Sequence, residues 1–240
     1  MSTACQQERG MIHRGAFQGW AIRLALFFGA FIYFNVGAEA TQMIVNGDFS
    51  AANTGFSSQS TYVGSGMTAP GDYGLTSNPS TGFTNGYYSY GDHTTGSGLM
   101  LLVDGGAPGT YAWEENIAVS PNTTYTFTGW VADADTPFFS SNPGLLGLFV
   151  NGTQAGGSFA VSSTMPGVWQ EWTGSVTTGP GDTSIALSIQ DLNPTYTAAG
   201  NDFSLDDLSL APPPASTPEP ASMLLFGTGL LGIAFLMRRR

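Results

Sequence analysis

Phe203-Ser204-Leu205-Asp206-Asp207-Leu208-Ser209-Leu210 alternates apolar and polar residues with the period of two that belongs to a half-buried strand. The parity changes midway, because Phe203 and Leu205 place odd residues on the apolar face whereas Leu208 and Leu210 place even ones there. A one-residue slip would turn the whole strand inside out, so the change at Asp206-Asp207 predicts a β-bulge, which re-aims a carboxylate. Working outward from this stretch, similar short runs occur at Gln42 to Val45, Leu99 to Asp104, Ala112 to Val119, Thr124 to Val131, Leu145 to Val150, Val168 to Val176 and Thr183 to Asp191. Gly, Pro, Asn, Ser and Thr clusters separate them, and no helical period of useful length interrupts them. Eight strands in residues 41–210 suit one all-β, antiparallel sandwich. Ala51 to Gly98 lacks clear periodicity and is expected to form long loops, whose Tyr62, Tyr73, Tyr87, Tyr88 and Tyr90 either face a ligand or pack onto the sandwich.

The chain has 240 residues, 12% aromatic and 10% charged, with 33 glycines, which is too apolar for disorder and poor in charge for a cytosolic enzyme. Its single cysteine, Cys5, lies before the sandwich, so the sandwich has no disulfide and no Cys-based metal site. All six basic residues are terminal: Arg9, Arg14 and Arg23 before the domain, and Arg238, Arg239 and Arg240 after it. Of the 17 acidic residues, Glu8, Glu39 and Glu219 fall outside residues 41–216, leaving 14 inside without a Lys or Arg. Nucleic acid is thereby excluded as a partner, since binding it requires phosphate neutralisation. Such a surface either stays soluble by repulsion or binds cations.

Residues 1–40 join a basic start, the apolar run Leu24 to Val36 and the small-x-small triplet Ala38-Glu39-Ala40, the pattern of a signal peptide cleaved after Ala40 on export by the Sec machinery. At the other end, Ala211 to Ser216 is a Pro-rich spacer, followed by Pro218-Glu219-Pro220 and the 17 uncharged residues Ala221 to Met237. As one helix these would reach about 25 Å, the short end of a transmembrane span. Arg238 to Arg240 then hold the C-terminus cytoplasmic and stop the chain in the inner membrane. A Pro-Glu-Pro tripeptide, an apolar helix and an arginine cluster in this order resemble the PEP-CTERM sorting signal of exopolysaccharide-producing Gram-negative bacteria. The resemblance implies cleavage near Pro218, Glu219 and Pro220 by an exosortase, and hence an exported envelope or extracellular protein. The segments expected are therefore 1–40 signal peptide, 41–210 sandwich, 211–216 linker and 217–240 sorting segment.

Met43-Ile44-Val45-Asn46-Gly47-Asp48-Phe49 and Asn201 to Leu210 look like the first and last strands of galactose-binding-like jelly rolls, a superfamily with many carbohydrate-binding modules. Trp113, Tyr125-Thr126-Phe127 and Val168-Trp169-Gln170-Glu171-Trp172 sit where such domains carry similar residues. The resemblance implies adjacent first and last strands with a structural Ca²⁺ between them, and Asp48 and Asp206 are the matching positions. Ser50 departs from the pattern, because many relatives carry Glu there. For stacking on pyranose rings the chain offers Trp130, which shares a face with Thr126 and Thr128 away from Tyr125 and Phe127, and Trp169 and Trp172, of which a regular strand turns one in and one out.

Catalytic signals are few. His93 is the only histidine of residues 41–216, no Gly-x-Ser-x-Gly elbow exists, and no HExxH or phosphate loop occurs. Glu114-Glu115, Asp133/Asp135 and Asp206-Asp207 supply acids without a spacing that marks a glycosidase pair. The expectation is a non-enzymatic, surface-sorted protein of an extracellular polysaccharide matrix or biofilm, glycan-binding or structural, with a carboxylate-dependent glycan hydrolase or lyase as the competing class.

Overall fold

The computed structural model describes residues 42–67, 69–83, 86–139, 141–214 and 222–238. The expected signal peptide, the sorting tripeptide Pro218, Glu219 and Pro220, and Arg239 and Arg240 lie outside the described residues. In chain order the elements are β1 (Thr61–Tyr62), β2 (Asp72–Thr76), α1 (Pro79–Gly82), β3 (Met100–Val103), β4 (Tyr111–Ala118), β5 (Thr124–Asp133) and β6 (Leu145–Val150). There follow β7 (Thr153–Gln154), β8 (Phe159–Ala160), β9 (Gln170–Thr177), β10 (Ser184–Asp191), β11 (Phe203–Ala211) and α2 (Ser222–Arg238).

These strands form a sandwich, one sheet ordered β1-β2-β3-β11-β5-β9 and the other β4-β10-β6-β7, with β8 also on β6. All pairings are antiparallel except β1 with β2. The alternation predicts which side chains meet between the sheets: Tyr125, Phe127 and Val131 of β5 and Phe203, Leu205, Leu208 and Leu210 of β11 are buried against Trp113, Ile185, Leu187 and Ile189. Burial of apolar surface at about 25 cal/mol per Å² drives this closure without a disulfide.

The bulge forms where parity requires it. Asp206 pairs Trp130 and the next partners are Ser209 and Thr128, so Asp207 and Leu208 together oppose the single residue Gly129. Asp207 takes the strain with φ of 47°, and Leu208 and Leu210 return to the core.

Two expectations are corrected. Gln42 to Val45 is not a strand: Asn46 and Phe49 turn the chain with φ of 58° and 53°. The segment still runs beside the end of β11, where Met43 N donates to Leu210 O, Leu208 N to Gly47 O, and the Gln42 amide spans Leu208 O and Leu210 N. Gly47 is required there, because a Cβ would stand 2.0 Å from Leu208 O. Second, Ala51 to Gly98 contains β2, which extends the larger sheet, and the single turn α1 capped by Asn78; Gly74 in β2 hides its period, and its Cβ site is filled by the Phe83 ring. The apolar tail forms α2, 17 residues and about 25 Å long at 1.5 Å each. Among the described residues no helix is long and apolar enough to cross a membrane.

Candidate functional site

The bulge turns both Asp206 and Asp207 toward one loop on the outer face of the larger sheet. Asp206 is fully buried, and its Oδ2 accepts from the backbone N–H of His93 at 2.7 Å and of Thr94 at 3.2 Å, while its Oδ1 accepts from Asp207 N at 2.9 Å. Asp207 Oδ1 accepts from Thr94 Oγ1 at 2.7 Å, and Oδ2 lies 2.6 Å from His93 Nδ1. The loop is preorganised by Asp92, whose carboxylate accepts from Thr95 N at 2.8 Å and Gly98 N at 2.6 Å. Burial pushes the Asp206 carboxyl up to about 6, although the N–H bonds it accepts pull the other way.

The tryptophans meet the same loop. The His93 ring lies flat on Trp130, centroids 3.8 Å apart and planes 15° apart. Trp169 meets Tyr90 edge-on at 5.8 Å and His93 at 6.0 Å, and its indole N–H donates to Gly91 O at 3.0 Å. Tyr90 Oη is hydrogen-bonded to Ser204 Oγ at 2.7 Å. Trp130 and Trp169 are thus brought together at a half-buried aromatic patch, with the His93 ring lying on Trp130. Trp172 is not among them: at 6% exposure it packs between Phe127 and Phe159 in the core, where no sugar ring can reach it. Of the loop tyrosines, Tyr73 and Tyr87 are buried, and Tyr62 and Tyr88 are exposed.

The structure does not join Asp48 and Asp206 as ligands of one ion. Asp48 Oδ1 accepts from the N–H and hydroxyl of Ser50 in its own exposed turn. Backbone donors aimed at Asp206 Oδ2 present positive hydrogen where a cation would have to sit, so the donor set does not fit Ca²⁺. Among the described residues no group of three or more His, Cys, Asp or Glu is placed to hold a metal ion.

A second polar centre, with no sequence signal beyond its acids, lies where β3, β11 and β5 end side by side. Asp202 is hydrogen-bonded through its side chain to both Asp104 and Asp135, beside a cavity of about 250 Å³ also lined by Met67, Tyr87 and Phe139. Burial raises all three carboxyls, Asp202 well above the usual range and Asp104 to about 6, because no Lys or Arg is present in residues 41–216 to offset them. Asp133 faces elsewhere; burial raises it to about 7 and its Oδ2 has no partner. Glu115 is structural, both its oxygens accepting from Val45 N and so anchoring the first segment.

Residues 216–240 match the PEP-CTERM protein-sorting motif. No curated protein matches the chain in sequence. Among solved structures the chain is similar to the CBM22-1 xylan-binding domain from Paenibacillus barcinonensis Xyn10C, at 16% identity and a TM-score of 0.45 over 75% of this chain and 99% of that one. It is similar to a family 16 carbohydrate-binding module, at 18% identity and 0.40 over 70% and 99%. It is also similar to a Stig cyclase, Fisc, from Fischerella sp. TAU, at 13% identity and 0.48 over 74% and 100%.

Proposed function

We propose that this chain is an exported, surface-sorted, non-enzymatic protein that binds or structures extracellular polysaccharide, on a galactose-binding-like jelly roll. The observation that carries the sorting part is the motif at 216–240. In this reading the Sec machinery exports the chain and α2 lodges in the inner membrane with Arg238, Arg239 and Arg240 on the cytoplasmic side. An exosortase then cleaves near Pro218, Glu219 and Pro220. Leu230, Leu231, Ile233, Phe235, Leu236 and Met237 of α2 are all exposed, as an apolar helix awaiting lipid would have them.

Glycan binding is supported by Trp169, half-buried in the loop before β9 beside Tyr90 and His93, whereas Trp130 already carries the His93 ring on its face. Aromatic faces stack on sugar rings through apolar C–H surface, while neighbouring polar groups fix orientation. Affinity electrophoresis of the parent and Trp169→Ala chains in gels cast with soluble polysaccharides tests this. Retardation by a defined glycan that the variant loses is the expected result; equal mobility in every gel removes the binding role and leaves the structural one.

The hydrolase or lyase reading is favoured by one observation, the hydrogen-bonded Asp104, Asp202 and Asp135 at a cavity. Raised carboxyls are the acids such chemistry needs. A fall in polysaccharide viscosity with the parent chain but not with Asp202→Asn would establish it in place of the binding role.

A further inference from the structure

We propose that the loop carrying His93 stands in for a cation at the β11 bulge, so that the Asp206-Asp207 pair is closed by the protein's own donors and this end of the sandwich folds without calcium. Two adjacent carboxylates at a bulge, one fully buried, would otherwise need an ion. Here each of the four oxygens already accepts a hydrogen bond: Asp206 Oδ1 from Asp207 N, Asp206 Oδ2 from His93 N and Thr94 N, Asp207 Oδ1 from Thr94 Oγ1, and Asp207 Oδ2 from His93 Nδ1. An ionised carboxylate only accepts, so Nδ1 carries the proton in this pair. Ca²⁺ would require six to eight oxygen ligands with free lone pairs at about 2.3–2.6 Å, and no such set is open here.

The placement of the one histidine supports the assignment independently. Residues 41–216 hold 14 acidic side chains, no Lys or Arg and a single His, and that His meets this bulge. Its ring cannot drift, because it is stacked on Trp130 at 3.8 Å and edged by Trp169. Asp92 bonds Thr95 N and Gly98 N, holding the loop in the shape that points the His93 and Thr94 N–H groups at Asp206.

Thermal unfolding of the full chain in detergent micelles, with calcium chloride or with EDTA, tests the proposal. The parent should melt at the same temperature in both. His93→Ala should melt several degrees lower in EDTA and be raised by calcium toward the parent, since Asp207 Oδ2 is then vacated to an ion completed by water, while Asp206 keeps the residue 93 and Thr94 N–H groups. Thr94→Val, a milder variant that keeps the ring, should luminesce weakly with terbium excited through Trp130, and calcium should compete. A parent chain stabilised by calcium, with the effect lost in Asp206→Asn, overturns the proposal. So does a His93→Ala chain that calcium does not restore, or a Thr94→Val chain without terbium signal.

Discussion

Asp207 holds φ of 47° without the freedom of glycine, and Trp130, opposite Asp206 in the β5–β11 register, carries the imidazole that reaches back to Asp207. The strain and the clasp therefore depend on each other, a residue kept in an unfavourable backbone region by what its side chain grips. The three tryptophans separate cleanly on the same logic. Trp172 fills the core between Phe127 and Phe159, so Trp172→Ala should lower stability by about 3–5 kcal/mol, whereas Trp169→Ala, half-buried beside a loop, should lose well under half as much. Urea unfolding of the two variants checks this; equal losses would contradict the core assignment. The inward turn of one indole was readable from the spacing of Trp169 and Trp172, but which one was not, because β9 begins at Gln170 and leaves Trp169 in the preceding loop.

At the scale of elements, β11 was legible because its parity break has a single geometric solution, and β5 because Tyr125 and Phe127 alternate with threonines. β2 was not, since Gly74 and the Pro70-Gly71 turn erase its pattern, and it is held by pairing with β3. Gln42 to Val45 read as a strand because Met43, Ile44 and Val45 form a short apolar run, yet what fixes it is the Gln42 side chain on β11 and Glu115 on Val45 N. The clasp was invisible for a different reason: His93 and Asp207 are 114 residues apart, and only the coincidence of a sole histidine with a dicarboxylate hinted at it. Two predictions belong here. Deleting Asp207 removes the bulge and leaves Phe203-Ser204-Leu205-Asp206-Leu208-Ser209-Leu210 in unbroken alternation, so Leu208 and Leu210 should stay in the core and near-ultraviolet circular dichroism should still follow a cooperative transition; loss of that transition would contradict the register. In the tail, Glu219→Ala should accumulate an uncleaved membrane precursor, while replacing Arg238 to Arg240 should weaken retention itself, at roughly 2.5–3.5 kcal/mol of insertion cost per charge removed. Fractionated cells on a gel separate the two, and a Glu219→Ala chain processed like the parent would reduce the tail to an anchor.

Across the whole molecule, the absence of Lys and Arg from residues 41–216 makes buried acids depend on protons and backbone donors instead of ion pairs. Burial raises Asp104 and Asp206 to about 6 and Asp133 to about 7, and it raises Asp135, Asp191 and Asp202 as well. An acid whose folded value lies above its unfolded one binds its proton more tightly in the native state. Its native form is therefore at no disadvantage below the unfolded value of 3.8, and stability is lost as pH rises from there through the folded value. With folded values near 6 and 7 the loss should run from about pH 4 to pH 7. The domain should accordingly resist urea better at pH 5 than at pH 8, the reverse of a protein whose carboxylates are salt-bridged. Part of the deficit at pH 8 is repulsion among surface carboxylates, which salt screens over about 10 Å at 0.1 M. Added sodium chloride should therefore recover some stability at pH 8 and little at pH 5, whereas the part owed to the desolvated Asp104, Asp135 and Asp202 should not respond. Asp202→Asn keeps the shape, removes the central charge of that trio and should flatten the pH profile. A profile that instead rises toward pH 8, or one that Asp202→Asn leaves unchanged, would mean that some other countercharge meets these carboxyls in solution.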